Sequence, residues 1–164
     1  MSYASANLVI MGLGLIGGSL ARAARASGFC QRITGYGYRA ASLQRGIELG
    51  VIDDFTLDIE EAIDTADILV ICTPTLTAAD LLKDILPRLP RDGGGPVVTD
   101  VASVKGSLRD AAVKICGEMP QQFVLGHPIA GSEHSGVEAS DASLFVDHRV
   151  ILTPEDGNAP AAVA

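Results

Sequence analysis

The stretch VIMGLGLIGGSLA, residues 9–21, decides the fold. An apolar run ends at Gly12, glycines fall at 12, 14 and 17, and an Ala/Leu/Arg segment begins at once. In that strand-to-helix context GxGxxG has a physical meaning. Gly12 permits a tight turn, Gly14 lets backbone approach a pyrophosphate, and Gly17 lets the helix pack closely on the strand. The first helical N–H groups, at Leu15 and Ile16, lack partners inside the helix and stand at the positive end of its dipole, which suits an anion. The competing reading is a glycine turn with a structural role only.

Outward from this turn the same alternation recurs. Runs rich in Val, Ile and Leu ("NLVIMG", "RITGYG", "DILVICTP", "PVVTDVAS", "QFVLGHP" and "HRVILTP") are separated by segments of helical composition. Helices are expected over "IGGSLARAARASG", stopped by Gly28, and over "AASLQRGIELG", "DIEEAIDTA", "TLTAADLLKDILPRL" and "VKGSLRDAAVKICGE". Short strands alternating with helices predict a doubly wound α/β domain, its mostly parallel sheet covered on both faces. The six runs suggest strand order 3-2-1-4-5-6, with the last strand antiparallel or at an edge. The domain is expected to span residues 1–154. The tail "EDGNAPAAVA", 155–164, reads as a linker stump.

Of the 164 residues, 48% are hydrophobic, enough to bury a core in one domain. A net charge of -8 without runs of Lys or Arg excludes a basic nucleic-acid surface and leaves a small molecule as the expected ligand. Cys30, Cys72 and Cys116 are widely spaced and form no CxxC pair, so neither a disulfide framework nor a metal site is predicted. Reduced thiols fit a cytoplasmic chain. No basic residue precedes the first apolar run, which argues against a signal peptide. No stretch approaches the roughly 18 apolar residues of a membrane span.

In a doubly wound sheet, ligands bind beyond the carboxyl ends of the strands. There the chain places the Gly12 turn, Gly37, Thr73 and Pro74, residues 100–103, and His127 with Pro128. A carboxylate at the end of the second strand would accept hydrogen bonds from adenosine ribose hydroxyls; here Gly37 stands in that place, followed by Tyr38 and Arg39. Without the acid, a 2′-phosphate is not repelled; Arg39 can pair with it while Tyr38 covers the adenine. A solvated Arg at a helix start is the other reading, so NAD and NADP both stay open. Asp100 reads as a cap or turn residue, or as an acid near the substrate. Ser103 has the same two readings, and its hydroxyl can also donate to a substrate oxygen. Lys105 reads as a first-turn surface residue, or as a cation that helps attract an anionic substrate. His127 is either a satisfied buried histidine or an acid/base group able to take the proton of an alcohol as hydride leaves its carbon. His134 and His148 are less well placed.

Together, "GLGLIGGSLA", "VTDVASVKG" and "GHPIAGSEHSGVEASDASLF", closing with "VILTP", resemble the nucleotide-binding domain of the prephenate and arogenate dehydrogenases. The likeness runs from about Asn7 to Pro154, and the HPxAGSExSG element carries most of it. It implies a Rossmann fold, NAD or NADP as cofactor, and oxidative decarboxylation of prephenate or arogenate in tyrosine biosynthesis. By resemblance His127 is the catalytic histidine at the substrate hydroxyl and Ser103 the serine that orients that hydroxyl and the nicotinamide. Glu133 and Ser132 match the substrate-side loop, where Gly131 and Gly136 let backbone pass close to the ligand. The resemblance also implies a following helical domain that forms a homodimer. Another 3-hydroxyacid dehydrogenase of the same fold, and a nucleotide-sensing module without turnover, are the competing readings.

Overall fold

Strand β1 (Ser5–Met11) sends Leu8 and Ile10 into one core and Val9 and Met11 into another, the period of two expected of a strand buried on both faces. The computed structural model describes residues 5–164. Helix α1 (Leu15–Ser27) follows the glycine turn and ends at Gly28, which adopts the left-handed conformation and donates to the carbonyl of Arg25. Next come β2 (Cys30–Tyr36), α2 (Ala40–Glu48), β3 (Asp54–Thr56), α3 (Ile59–Asp64) and β4 (Ile68–Ile71). They are followed by α4 (Thr75–Ile85), β5 (Val97–Asp100), α5 (Gly106–Cys116), β6 (Phe123–Pro128), β7 (Val150–Thr153) and α6 (Pro160–Val163).

The seven strands lie in the order β3-β2-β1-β4-β5-β6-β7, all parallel except β7, which runs antiparallel to β6. This is the predicted doubly wound α/β sheet, with one correction. The third place belongs to the three-residue β3, of which only Thr56 is buried. A strand that short shows no hydrophobic period. The run "DILVICTP" is therefore β4, paired with β1 in the interior rather than set at the edge beyond β2. Helices α3, α4 and α5 contribute to the core containing Val9, Leu69 and Phe123. Helix α1 packs on the opposite core, with Leu8, Ile33 and Val70.

Beyond β7 the tail folds back along β6. Arg109 pairs with Glu155 at 2.5 Å, the Asn158 amide donates to the carbonyls of Phe123 (2.9 Å) and Pro120 (3.2 Å), and Ala159 N–H donates to Gln121. Glu155, Asn158 and Ala159, within the tail read from composition as a linker, are thus held against the domain by polar contacts.

Candidate functional site

At the β1–α1 turn, Gly12 has φ +96°, a conformation that favours glycine. A Cβ at Gly17 would stand 2.2 Å from the Gly12 carbonyl oxygen and 2.9 Å from Ile10, so only glycine lets α1 lie on β1. Gly14 differs: apart from its chain neighbours, no atom of the described residues lies within 4 Å of where its Cβ would be. The space beside it is open, and α1 begins there without a side-chain cap and without an acid in its first turn. The N–H groups of Leu15 and Ile16 open this helix, which starts one residue before the expected run.

The turn borders a cleft of about 360 Å³ lined by Gly12, Gly14, Tyr38, Arg39, Thr73 and Pro74 among others, so six of the nine residues predicted to bind cofactor share one cavity. Leu13, Ser42, Leu43 and Thr77, which no motif marks, also line it. The Thr73 hydroxyl is buried there without a hydrogen-bond partner among the described residues. Tyr38 is 69% exposed and meets Tyr36 edge to face, with ring centroids 6.0 Å apart. Arg39 is exposed at the start of α2. An uncapped helix start, an open cradle at Gly14 and an orphaned hydroxyl together fit a bound dinucleotide phosphate.

The other half of the carboxyl edge is made by β5 and β6. Asp100, whose side chain is fully buried, does not cap α5, whose N-cap is Lys105. Its Oδ2 accepts from the Ala102 N–H at 2.9 Å, and its Oδ1 accepts from the Gly126 N–H at 3.2 Å. Lys105 is not a surface residue either. Its side chain is 19% exposed, and its ammonium donates to both the Asp100 carboxylate and the Gly126 carbonyl. The spacing of Asp100 and Lys105 in "DVASVK" was the available signal, but their shared partner lies 21 residues beyond Lys105.

His127 follows Gly126 on β6, partly buried, at an apolar cavity of about 500 Å³ that Leu20, Phe29, Val101, Phe145 and Leu152 also line. Ser103 is exposed in the loop between β5 and α5. Gly131, Ser132 and Glu133 are exposed in the loop after β6, where Ser132 Oγ accepts from the His134 N–H at 3.1 Å. His127 stands near the end of β6, and Ser103 and this loop lie beyond the ends of β5 and β6, but no hydrogen bond joins the three among the described residues. Cys72, directly after β4, lines the same cleft as Gly12 and Thr73. Burial first and the Asp100 carboxylate second push its thiol up to about 12.

Fold and cleft together define a dinucleotide-binding domain of the Rossmann type. Comparison with known proteins narrows the class. The model of the prephenate dehydrogenase nucleotide-binding domain matches residues 20–164, and the chain belongs to that family. It is 35% identical over 158 residues to the cyclohexadienyl dehydrogenase of Zymomonas mobilis, covering 94% of this chain and 51% of that one. The Aquifex aeolicus prephenate dehydrogenase, solved in complex with hydroxyphenyl propionate and NAD+, superimposes with a TM-score of 0.85 at 36% identity. That match covers 99% of this chain and 55% of the other. The arogenate dehydrogenase of Synechocystis gives 0.82 at 30% identity, over 96% and 53%. The chain thus spans about half the length of these relatives. No described helix is long and apolar enough to cross a membrane.

Proposed function

We propose that this chain is the dinucleotide-binding part of a prephenate or arogenate dehydrogenase, serving oxidative decarboxylation in tyrosine biosynthesis. The observation that carries the reading is the convergence, on one carboxyl edge, of an open phosphate cradle at Gly14 and a histidine held at the end of β6. Gly12, Gly14 and Gly17, with the N–H groups of Leu15 and Ile16, hold the pyrophosphate; Tyr38 and Arg39 take the adenosine end; Thr73 and Pro74 border the middle of the cleft. The bound NAD or NADP supplies a hydride acceptor.

His127 accepts the proton of the substrate hydroxyl, and Ser103 orients that hydroxyl. Gly131, Ser132 and Glu133 form the substrate-side loop. Proton transfer requires a neutral imidazole, while aromatisation and loss of carbon dioxide drive the reaction, leaving the protein chiefly to orient the donor carbon. A homodimer in the cytoplasm, formed through a helical domain, belongs to the same proposal.

The test is a steady-state matrix of prephenate and arogenate against NAD and NADP on the full-length protein. Turnover in at least one combination is expected; failure of all four rejects the reading. In that protein His127→Asn is expected to lower kcat by about 100-fold or more with cofactor affinity unchanged, and unaltered turnover removes His127 from the chemistry.

A further inference from the structure

The β5–β6 ladder runs through the pairs Val98–Phe123 and Thr99–Val124, and β5 ends at Asp100 while β6 continues to Pro128. Gly126, the next β6 residue to turn its backbone toward β5, therefore has no strand opposite it. Side chains take the strand's place: the Gly126 N–H donates to Asp100 Oδ1 and the Gly126 carbonyl accepts from the Lys105 ammonium. The two side chains are themselves an ion pair, with the Asp100 carboxylate shut away from solvent. The approach is close as well. A Cβ at Gly126 would stand 2.9 Å from the Asp100 carbonyl oxygen and 3.0 Å from Thr99 Oγ1.

On the far side, β6 is held by β7, with His127 opposite Ile151 and Gly126 opposite Leu152. The backbone leading into His127 is thus gripped on both edges, by a strand on one and by an ion pair on the other. Lys105 also connects the loop bearing Ser103 to the strand bearing His127, two positions on either side of the expected substrate hydroxyl.

We propose that Asp100 and Lys105 are positioning residues. They substitute for the missing end of β5, fix the Gly126 peptide, and so set where the His127 imidazole stands relative to Ser103. The proposal rests on the catalytic reading of His127. Displacing a reacting group by about 1 Å costs on the order of 100-fold in rate, so loosening this grip should act on kcat rather than on binding.

The experiment uses the full-length protein and three variants: Lys105→Met, Lys105→Arg, and Asp100→Asn combined with Lys105→Met. The double variant leaves no unpaired buried charge and keeps the test available where Lys105→Met alone fails to fold. Expected are a kcat lowered by about 10- to 100-fold, a substrate KM and NAD affinity within about twofold of the parent, and partial rescue in Lys105→Arg. Amide hydrogen exchange on the same proteins should show faster exchange at Gly126 while the β1 amides are unchanged. A raised substrate KM at unchanged kcat makes Lys105 a substrate-binding residue and overturns the proposal, as does unchanged exchange at Gly126. If the parent turns over neither substrate, the catalytic reading fails, whereas the Gly126 exchange result still decides whether the pair holds the strand.

Discussion

At the β1–α1 turn the backbone is shaped by side chains that are absent, and at the β5–β6 end by side chains that are present. Gly17 allows a helix to touch a carbonyl because nothing projects from it. Gly126 keeps its place because Asp100 and Lys105 supply the hydrogen bonds that a strand would otherwise make. The two halves should therefore fail in opposite ways. Adding one methyl group damages the first, whereas removing a charged group damages the second. The contrast follows from what each half has to hold: a tight turn needs volume, and an overhanging strand needs polar partners.

The sharpest test of the first half is Gly17→Ala. With the new Cβ against a backbone oxygen, a loss of about 3 kcal/mol is expected in urea unfolding; a loss below about 0.5 kcal/mol would show that α1 simply shifts away. Gly14→Ala makes the internal control, since its Cβ meets open space. Stability should stay within about 0.5 kcal/mol, while NAD+ affinity measured by calorimetry falls about tenfold through loss of a charge-assisted contact. Equal damage to stability at both positions would erase the distinction between them.

A smaller effect is expected at Gly18, where a Cβ would meet Ser140 at 2.8 Å. Here the neighbour is a side chain rather than backbone. Ser140 also accepts from Arg22 Nε at 2.8 Å, and Ser19 Oγ accepts from the Asp141 N–H at 2.9 Å, so this glycine lets residues 137–141 dock on α1. Gly18→Ala should cost about 1–2 kcal/mol, and a double-mutant cycle with Ser140→Gly should give a coupling above about 0.5 kcal/mol. Strict additivity would dissolve the contact.

A labelling test joins the two halves. Cys72 lies 3.2 Å from the Cβ position of Gly17 and feels the charge of Asp100. With its thiol raised from 9.0 to about 12, the thiolate fraction at pH 8 falls about a thousandfold, so timed iodoacetamide labelling followed by mass spectrometry should leave Cys72 unmodified while a free thiol reacts. The sign for stability follows. The protonated form is favoured by folding, so this contribution is full below pH 9 and is lost as pH rises from 9 toward 12. Rapid labelling at pH 8 would contradict the raised thiol.

The glycine turn could be read directly because its causes lie within six residues: the spacing that admits the turn is the spacing in the chain. The strand runs were legible for the same local reason, and they put Thr73, Pro74 and His127 at strand ends. The three residues of β3 carry no period, and β3 exists because β2 offers it an edge to pair with. Lys105 read as exposed because a lysine near a helix start usually is. Its partners, the Asp100 carboxylate and the Gly126 carbonyl, meet only when β5 and β6 lie side by side.

By itself, then, the sequence determined the doubly wound class, the glycine turn and the candidate histidine, since backbone sterics and hydrophobic period act over neighbouring residues. Only the tertiary structure decided the place of β3, the docking of residues 137–141 on α1, and the ion pair that carries β6 past the end of β5. Each of those depends on polar or steric contact between residues far apart in the chain, and such contact acquires a partner and a distance only when the sheet is assembled.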